Sequence, residues 1–379
     1  MAYSFPFSVK KIIYIISDID KALAFEWIAE KINASLIEIS FVLIIQKPSA
    51  LEKFLREKNI PVYTFYYRNK KDFPLIFLKL YRLLKRLKPD TVHCHLLYAS
   101  LLGLTASRIA GIKNRIYTRH HSDFHHRYFP AGIKWDKWCN AMSTRVIAPS
   151  NAVSEVLIQL EHVHPAKVSL VPHGFDLDYF RNVRPEFIAE LKVKYTTGDQ
   201  YPVIGVISRF TELKGIQFII PAFIKLLNVY PDALILFFNA KGDYDSEIKQ
   251  LLGSVQERNY RLIHFENNLA AVYQLFDIFI QVSTDTQIEA FGQTYVEALA
   301  AGVPSVFTLS GIAPDFIEDG KNALLVPFRD SDAIYRAMIR IMEEDGLKER
   351  LTSEGWKSVK KRFALQKMVT QLEEIYERA

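Results

Sequence analysis

Along this chain, short apolar, β-branched runs alternate with longer segments whose apolar side chains recur every three or four positions. The short runs predict strands at 11–16, 36–44, 62–65, 91–94, 115–118, 145–148 and 167–171 in the first half. In the second half they fall at 203–208, 233–238, 261–265, 278–282, 305–308 and 323–326. Amphipathic helices fit between most of them. Such alternation predicts parallel sheets covered by helices on both faces. Thirteen strands exceed one ordinary open sheet. The best break is the polar stretch HGFDLDYFRNVRP, residues 173–185. The pattern therefore predicts two doubly wound domains, with ligands bound in a cleft at the carboxyl ends of strands. A last amphipathic helix, with Met368, Val369, Leu372 and Ile375 on one side, closes the pattern.

Composition narrows the class. With 379 residues, 49% of them hydrophobic and 24% charged, the chain can bury two cores. Cys94 and Cys139 are far apart and in no metal-like spacing, so no disulfide framework is expected. The first residues lack the apolar stretch of a signal peptide, and no apolar run is long enough to span a membrane. A cytoplasmic location follows as the expectation. The net charge of +6 favours anionic partners. Eight basic residues and one acid, Asp72, crowd the segment from Arg68 to Lys88.

The stretch IEAFGQTYVEALAAGVPSVF holds two carboxylates, Glu289 and Glu297, eight positions apart. Thr294 and Glu297 fit a capping box, and Gly302 followed by Pro304 fits a helix stop. A helix over 295–301 is predicted. Gly292 lets backbone approach a ligand at its start, where free N–H groups favour an anion. A cap and a solvated loop acid would account for the two glutamates. Alternatively both border one pocket, where carboxylates suit a partner that donates hydroxyls, such as sugar or ribose. Phosphate would then need cations from elsewhere, and SRFTELKG supplies Arg209 and Lys214 directly after a strand.

Together these segments resemble the family-4 retaining glycosyltransferases of the GT-B fold. The resemblance is carried by EAFGQTYVEALAAGVPSV, SRFTELKG, VIAPSNAVSEVL, KVSLVPHGFDLDYF, KPDTVHCHLLYASLLG, RIYTRHHSD and GIAPDFIEDGKNALLVP, in that family's order and spacing when read along the chain. It covers most of the chain from about residue 87. It implies two Rossmann-like domains facing across a cleft. Residues 1–178 plus a crossing helix at 357–379 would form the acceptor domain, and 179–356 the nucleotide-sugar domain.

The resemblance also implies roles. Arg209 and Lys214 would hold the donor diphosphate, Glu289 would contact the transferred sugar, and Glu297 the ribose. Phe291, Gly292, Gln293 and Thr294 would offer further backbone and hydroxyl contacts, and His120 would lie beside the sugar. The family moves a sugar from a nucleotide donor with retention, and needs neither metal nor cofactor because cations and helix ends stabilise the leaving charge. A UDP- or GDP-sugar donor and a glycan or lipid-linked acceptor, in surface polysaccharide biosynthesis, are expected. Departures from the family pattern are Asp18, Asp20 and Lys21 where a glycine-rich loop is usual, His173 where asparagine is common, and Ala323 where glycine is.

Two constellations stand apart. RHHSDFHHRYF contains His120, His121, Asp123, His125 and His126. Imidazole and carboxylate fit zinc or iron, yet adjacent strand residues alternate faces and cannot both meet one ion. The expectation is no metal, with His120 toward the cleft and the others on the surface or at hydroxyls and anions. The segment 68–88 reads either as a core-facing helix with a solvated basic face or as a peripheral contact for anionic membrane. No nucleic-acid recognition motif is visible. A nucleotide-sugar epimerase or hydrolase, and a non-catalytic glycan- or membrane-binding protein, are the alternatives.

Overall fold

The computed structural model describes residues 9–195 and 198–378. All thirteen expected strands form. In the first unit they are β1 (Lys10–Ser17), β2 (Ile37–Ile45), β3 (Val62–Tyr66), β4 (Thr91–His95), β5 (Asn114–Thr118), β6 (Arg145–Ala148) and β7 (Val168–Leu170). In the second they are β8 (Val203–Ile207), β9 (Leu234–Phe238), β10 (Tyr260–Ile263), β11 (Ile278–Gln281), β12 (Ser305–Phe307) and β13 (Leu324–Leu325). Every pairing is parallel. The sheet orders are β3-β2-β1-β4-β5-β6-β7 and β10-β9-β8-β11-β12-β13. Both are open α/β sheets of the doubly wound, Rossmann-like kind.

The apolar runs explain the layering. In β1, Ile12 to Ile16 are all buried, and in β9 the whole run LILFF is buried. A strand with no polar face must be covered on both sides, which a helical crossover connection accomplishes. The edge strand β3, VYTFY, is only partly buried, as a one-sided position allows.

One unit holds residues 9–175 and 365–378, the other the described residues of 176–364. The helix Leu347–Phe363 lies wholly in the second unit, and the segment that returns to the first is the helix Leu365–Glu377. Residue 357, where the family resemblance placed the return, falls inside the former helix. The returning helix is fastened by a polar anchor. The Tyr376 hydroxyl meets Tyr14 Oη at 2.5 Å and His93 Nδ1 at 2.7 Å, all three side chains being buried.

In each sheet the chain reverses direction at one place, between β1 and β4 and between β8 and β11. Loops diverge at such a switch point and leave a crevice beyond the strand ends. Among the described residues no helix is long and apolar enough to cross a membrane.

Candidate functional site

In the second unit, the loops after β8 and β11 bring Lys214 and Glu289 together. Lys214 closes a short turn, Glu212–Lys214, after β8. Leu213 O accepts hydrogen bonds from Thr284 N at 3.0 Å and Thr284 Oγ1 at 3.2 Å, which ties that turn to the loop after β11. Lys214 Nζ then lies 2.5 Å from Glu289 Oε1. Ser283 Oγ donates to the same oxygen at 2.9 Å and Gln281 Nε2 at 3.3 Å. Glu289 N donates to Ser310 Oγ at 3.1 Å. Burial of Glu289 alone would raise its pKa. The Lys214 charge and these hydrogen bonds outweigh burial and hold it below the usual value. It is a fixed anion at the switch point, not a solvated loop acid.

Glu297 is a different kind of acid. Its side chain is buried, and the Tyr273 hydroxyl donates to Oε2 at 2.7 Å. Burial lifts its pKa to about 7, against the opposing effect of that hydrogen bond. The expected capping box does not form. The helix is Gln293–Ala300, its cap residue is Gly292, and no side chain caps it. Thr294 Oγ1 instead donates to Gln281 Oε1. Glu297 reaches into the core side of the helix, because Tyr273 offers it a donor there. Gly302 does take the left-handed conformation that ends the helix, with φ 75°.

The stretch between the two acids divides by exposure. Phe291 is buried against Phe363, so only its backbone is available; Gln293 is exposed and Thr294 is half-buried. Gly292 has φ 85°, and a Cβ there would sit 2.5 Å from the Tyr295 ring. Only glycine fits. Arg209, just after β8, is exposed, beside the loop after β9. That loop packs so tightly that a Cβ on Gly242 would lie 1.8 Å from Phe210 O. Arg209, Lys214, Glu289 and the start of the Gln293–Ala300 helix therefore share the carboxyl ends of β8 and β11. Gln281, Ser283, Tyr273 and Ser310 were not anticipated from sequence. Polar residues at 281 and 283 directly after the apolar run of β11 were the available signal.

In the first unit, His120 follows β5 and is half-buried. Its Nε2 lies 3.2 Å from His95 Nδ1, and its ring stacks on His173 with centroids 6.0 Å apart. Burial lowers its pKa to about 3, aided by His173 and His121, so the ring is neutral. The neighbouring histidines correct the sequence expectation: they are not surface groups. His125 Nδ1 lies 2.6 Å from Asp136 Oδ2, His121 Nε2 lies 3.2 Å from Asp136 Oδ1, and His126 Nε2 lies 3.2 Å from Glu161 Oε1. At the centre is Arg119, 2% exposed. Its Nη2 is 2.5 Å from Glu161 Oε1 and 3.1 Å from Asp136 Oδ2. His121, His125 and Asp136 place ligand-type atoms within 4.8 Å of one another. The guanidinium already supplies the positive charge those carboxylates require, so the cluster reads as a structural network.

A family model described as Glycosyltransferase Family 4 matches residues 40–179, and one described as Glycosyl transferases group 1 matches residues 187–358. The alpha-monoglucosyldiacylglycerol synthase of Acholeplasma laidlawii is 26% identical over 331 residues, 80% of each chain. The Escherichia coli UDP-Gal:alpha-D-GlcNAc-diphosphoundecaprenol alpha-1,3-galactosyltransferase is 23% identical over 275 residues, 70% of each chain. Among solved structures, Anabaena HepE in complex with UDP-glucose superposes with a TM-score of 0.83 at 20% identity, covering 97% of this chain and 100% of that one.

Proposed function

The chain belongs to the family-4, group 1 glycosyltransferases of GT-B fold, and from that premise we propose a retaining hexosyltransferase using a UDP- or GDP-sugar. The observation that carries this reading is the Lys214–Glu289 pair at the switch point of the second sheet. A fixed carboxylate suits sugar hydroxyls, which donate to it. A partly exposed ammonium beside it, with Arg209 on the same loop, suits a diphosphate. Glu297 accepts from ribose hydroxyls in its ionised form. The uncapped start of the Gln293–Ala300 helix leaves N–H donors for phosphate or sugar oxygen.

In this mechanism the leaving diphosphate gathers negative charge as the glycosidic bond breaks. Arg209 and Lys214 stabilise that charge where it develops, which is the electrostatic part of catalysis. We assign them the task that a divalent ion performs elsewhere, so transfer is expected to survive exhaustive chelation. His120 is assigned to the transferred sugar. The product should keep the donor's anomeric configuration, which proton NMR of the first-formed glycoside reads directly.

The acceptor is proposed to be a glycan or lipid-linked sugar of glycoconjugate biosynthesis, and the named relatives that act on diacylglycerol and diphosphoundecaprenol substrates favour lipid. The helix Phe73–Leu87 supports the same choice. It buries Ile76, Leu80, Leu83 and Leu84 and exposes Leu75, Leu78, Lys79, Arg82, Lys85 and Arg86. Exposed leucines among arginine and lysine suit the headgroup region of an anionic bilayer.

A thermal-shift series with UDP, GDP and their sugars tests the donor. Stabilisation by one nucleoside diphosphate and its sugar is expected, and no response to any would overturn the reading. Full-rate nucleotide release in water alone would favour hydrolysis over transfer.

A further inference from the structure

Strand β4 reads TVHCH, and the two-residue period of a strand puts His93 and His95 on one face. Both are buried. His93 is fully accounted for: Nδ1 meets the Tyr376 hydroxyl at 2.7 Å and Nε2 meets Thr118 Oγ1 at 2.8 Å. His95 is only half accounted for. Its Nδ1 faces His120 Nε2 at 3.2 Å, while its Nε2 is buried without a hydrogen-bond partner among the described residues. The rings around it are Tyr14, Phe25 and His93, at centroid distances of 5.1, 4.8 and 4.2 Å.

Two neutral imidazoles that share a hydrogen bond carry one proton between the facing nitrogens. Burial is the leading cause that keeps both rings neutral. If His120 donated, the remaining proton of His95 would sit on Nε2 as a buried, unsatisfied N–H. Buried orphan N–H groups are rarer and costlier than a bare acceptor lone pair. If His95 donates from Nδ1, only a lone pair is left unmatched. The second arrangement wins. It fixes His120 as well, because an Nε2 that accepts requires its proton on Nδ1.

The backbone holds this donor in place. Leu96, the residue after His95, has φ 69° and ψ 167°, a region natural to glycine. Ser17 Oγ accepts from Ala99 N at 3.1 Å and pins the helix Leu97–Ala110 that follows.

We propose that His95 is a positioning residue that sets the tautomer of His120, so that His120 presents Nδ1–H as a hydrogen-bond donor to a hydroxyl of the bound sugar. The tautomer stands on the geometry of the first unit; its use in transfer rests on the glycosyltransferase reading. A protonated Nδ1 can donate to a sugar hydroxyl oxygen, whereas the other tautomer could only accept there.

The test is nitrogen-15 NMR of ring-labelled histidines in the full chain, with the His120 signals assigned from the spectrum of H120Q. A pyridine-like Nε2 and a pyrrole-like Nδ1 are expected for His120. A pyrrole-like Nε2 would overturn the proposal, with no turnover assay involved. In H95L the His120 tautomer should change or become averaged, and in H95N, whose amide can still donate, it should be kept. Where transfer is measurable, kcat should fall about tenfold in H95L, one hydrogen bond's worth, with KM for the donor nearly unchanged, and H95N should recover it. A His120 tautomer indifferent to H95L would also overturn the proposal.

Discussion

Lys214 and Glu289 stand 75 residues apart in sequence and 2.5 Å apart in space, joining the loops after β8 and β11. Glu289 is buried with a hydrogen-bonded oxygen and a counter-charge, so its substitution by an isosteric amide spares the packing. In E289Q transfer should fall by roughly 10²–10³, as for loss of one placed electrostatic contact, while the thermal midpoint moves little. Wild-type turnover in E289Q would remove Glu289 from the reaction.

Lys214 behaves otherwise, since K214M strips a buried carboxylate of its partner. Breaking a fully buried pair costs roughly 3–5 kcal/mol, and partial exposure of Lys214 reduces this to about 2 kcal/mol. Denaturant unfolding of K214M, E289Q and the double variant checks it. The double variant should recover most of the stability lost in K214M, whereas strict additivity would mean that the pair is uncoupled.

Glu297 makes stability and donor binding pull apart with pH. An ordinary glutamate titrates near 4.5, and burial brings this one to about 7. The folded chain thus holds the proton more tightly than the unfolded one. Below pH 4.5 both are protonated. Between 4.5 and 7 the unfolded chain releases its proton first, and stability falls by about 3 kcal/mol across the window, then stays level. E297Q should therefore match wild type at pH 4.5 and unfold at higher temperature at pH 8, yet bind nucleoside diphosphate more weakly. Wild-type donor affinity should drop as pH falls below 7, because a protonated carboxyl accepts poorly from ribose. Parallel unfolding curves of the two proteins against pH would contradict this.

Gly242 is a clean steric probe. A methyl group 1.8 Å from Phe210 O cannot be accommodated without shifting the loop that carries Arg209. G242A should raise the donor KM several-fold and lower the thermal midpoint. R209A, by contrast, should impair transfer with no change in the midpoint, since that side chain is exposed.

Arg119 should report on the first unit alone. R119M leaves Asp136 and Glu161 buried without their cation, at a cost of roughly 3–5 kcal/mol. Unfolding should split into two steps, with nucleoside diphosphate still raising the upper one. A single unshifted transition would refute the network's role.

Much of this was legible in the chain before its fold. Continuous apolar runs such as those of β1 and β9 announce strands covered on both faces, because burial must be total there. Arg209, Lys214 and Glu289 were singled out because ligand groups gather just past strand ends, and the structure does bring Lys214 and Glu289 together there. What escaped were relationships closed by distant segments. Thr294 and Glu297 spell a capping box, but Gln281 and Tyr273 offer better partners from other elements, and tertiary bonds overrode the local motif. Likewise His121, His125 and His126 look like a polar surface run until Arg119, Asp136 and Glu161 assemble around them. Period and spacing encode local geometry; they do not encode which remote donor arrives.

The anchor at Tyr376 has a consequence for how the protein is made. The second unit is one continuous stretch, residues 176–364, and can fold as soon as it has emerged from the ribosome. The first unit is split between residues 9–175 and 365–378. The hydroxyl that satisfies Tyr14 and His93 is delivered some 280 residues after His93 is synthesised, so until then those two buried groups lack that partner. The polar groups at the heart of β1 and β4 thus tie the completion of the half carrying His95 and His120 to the last-made segment of the two units.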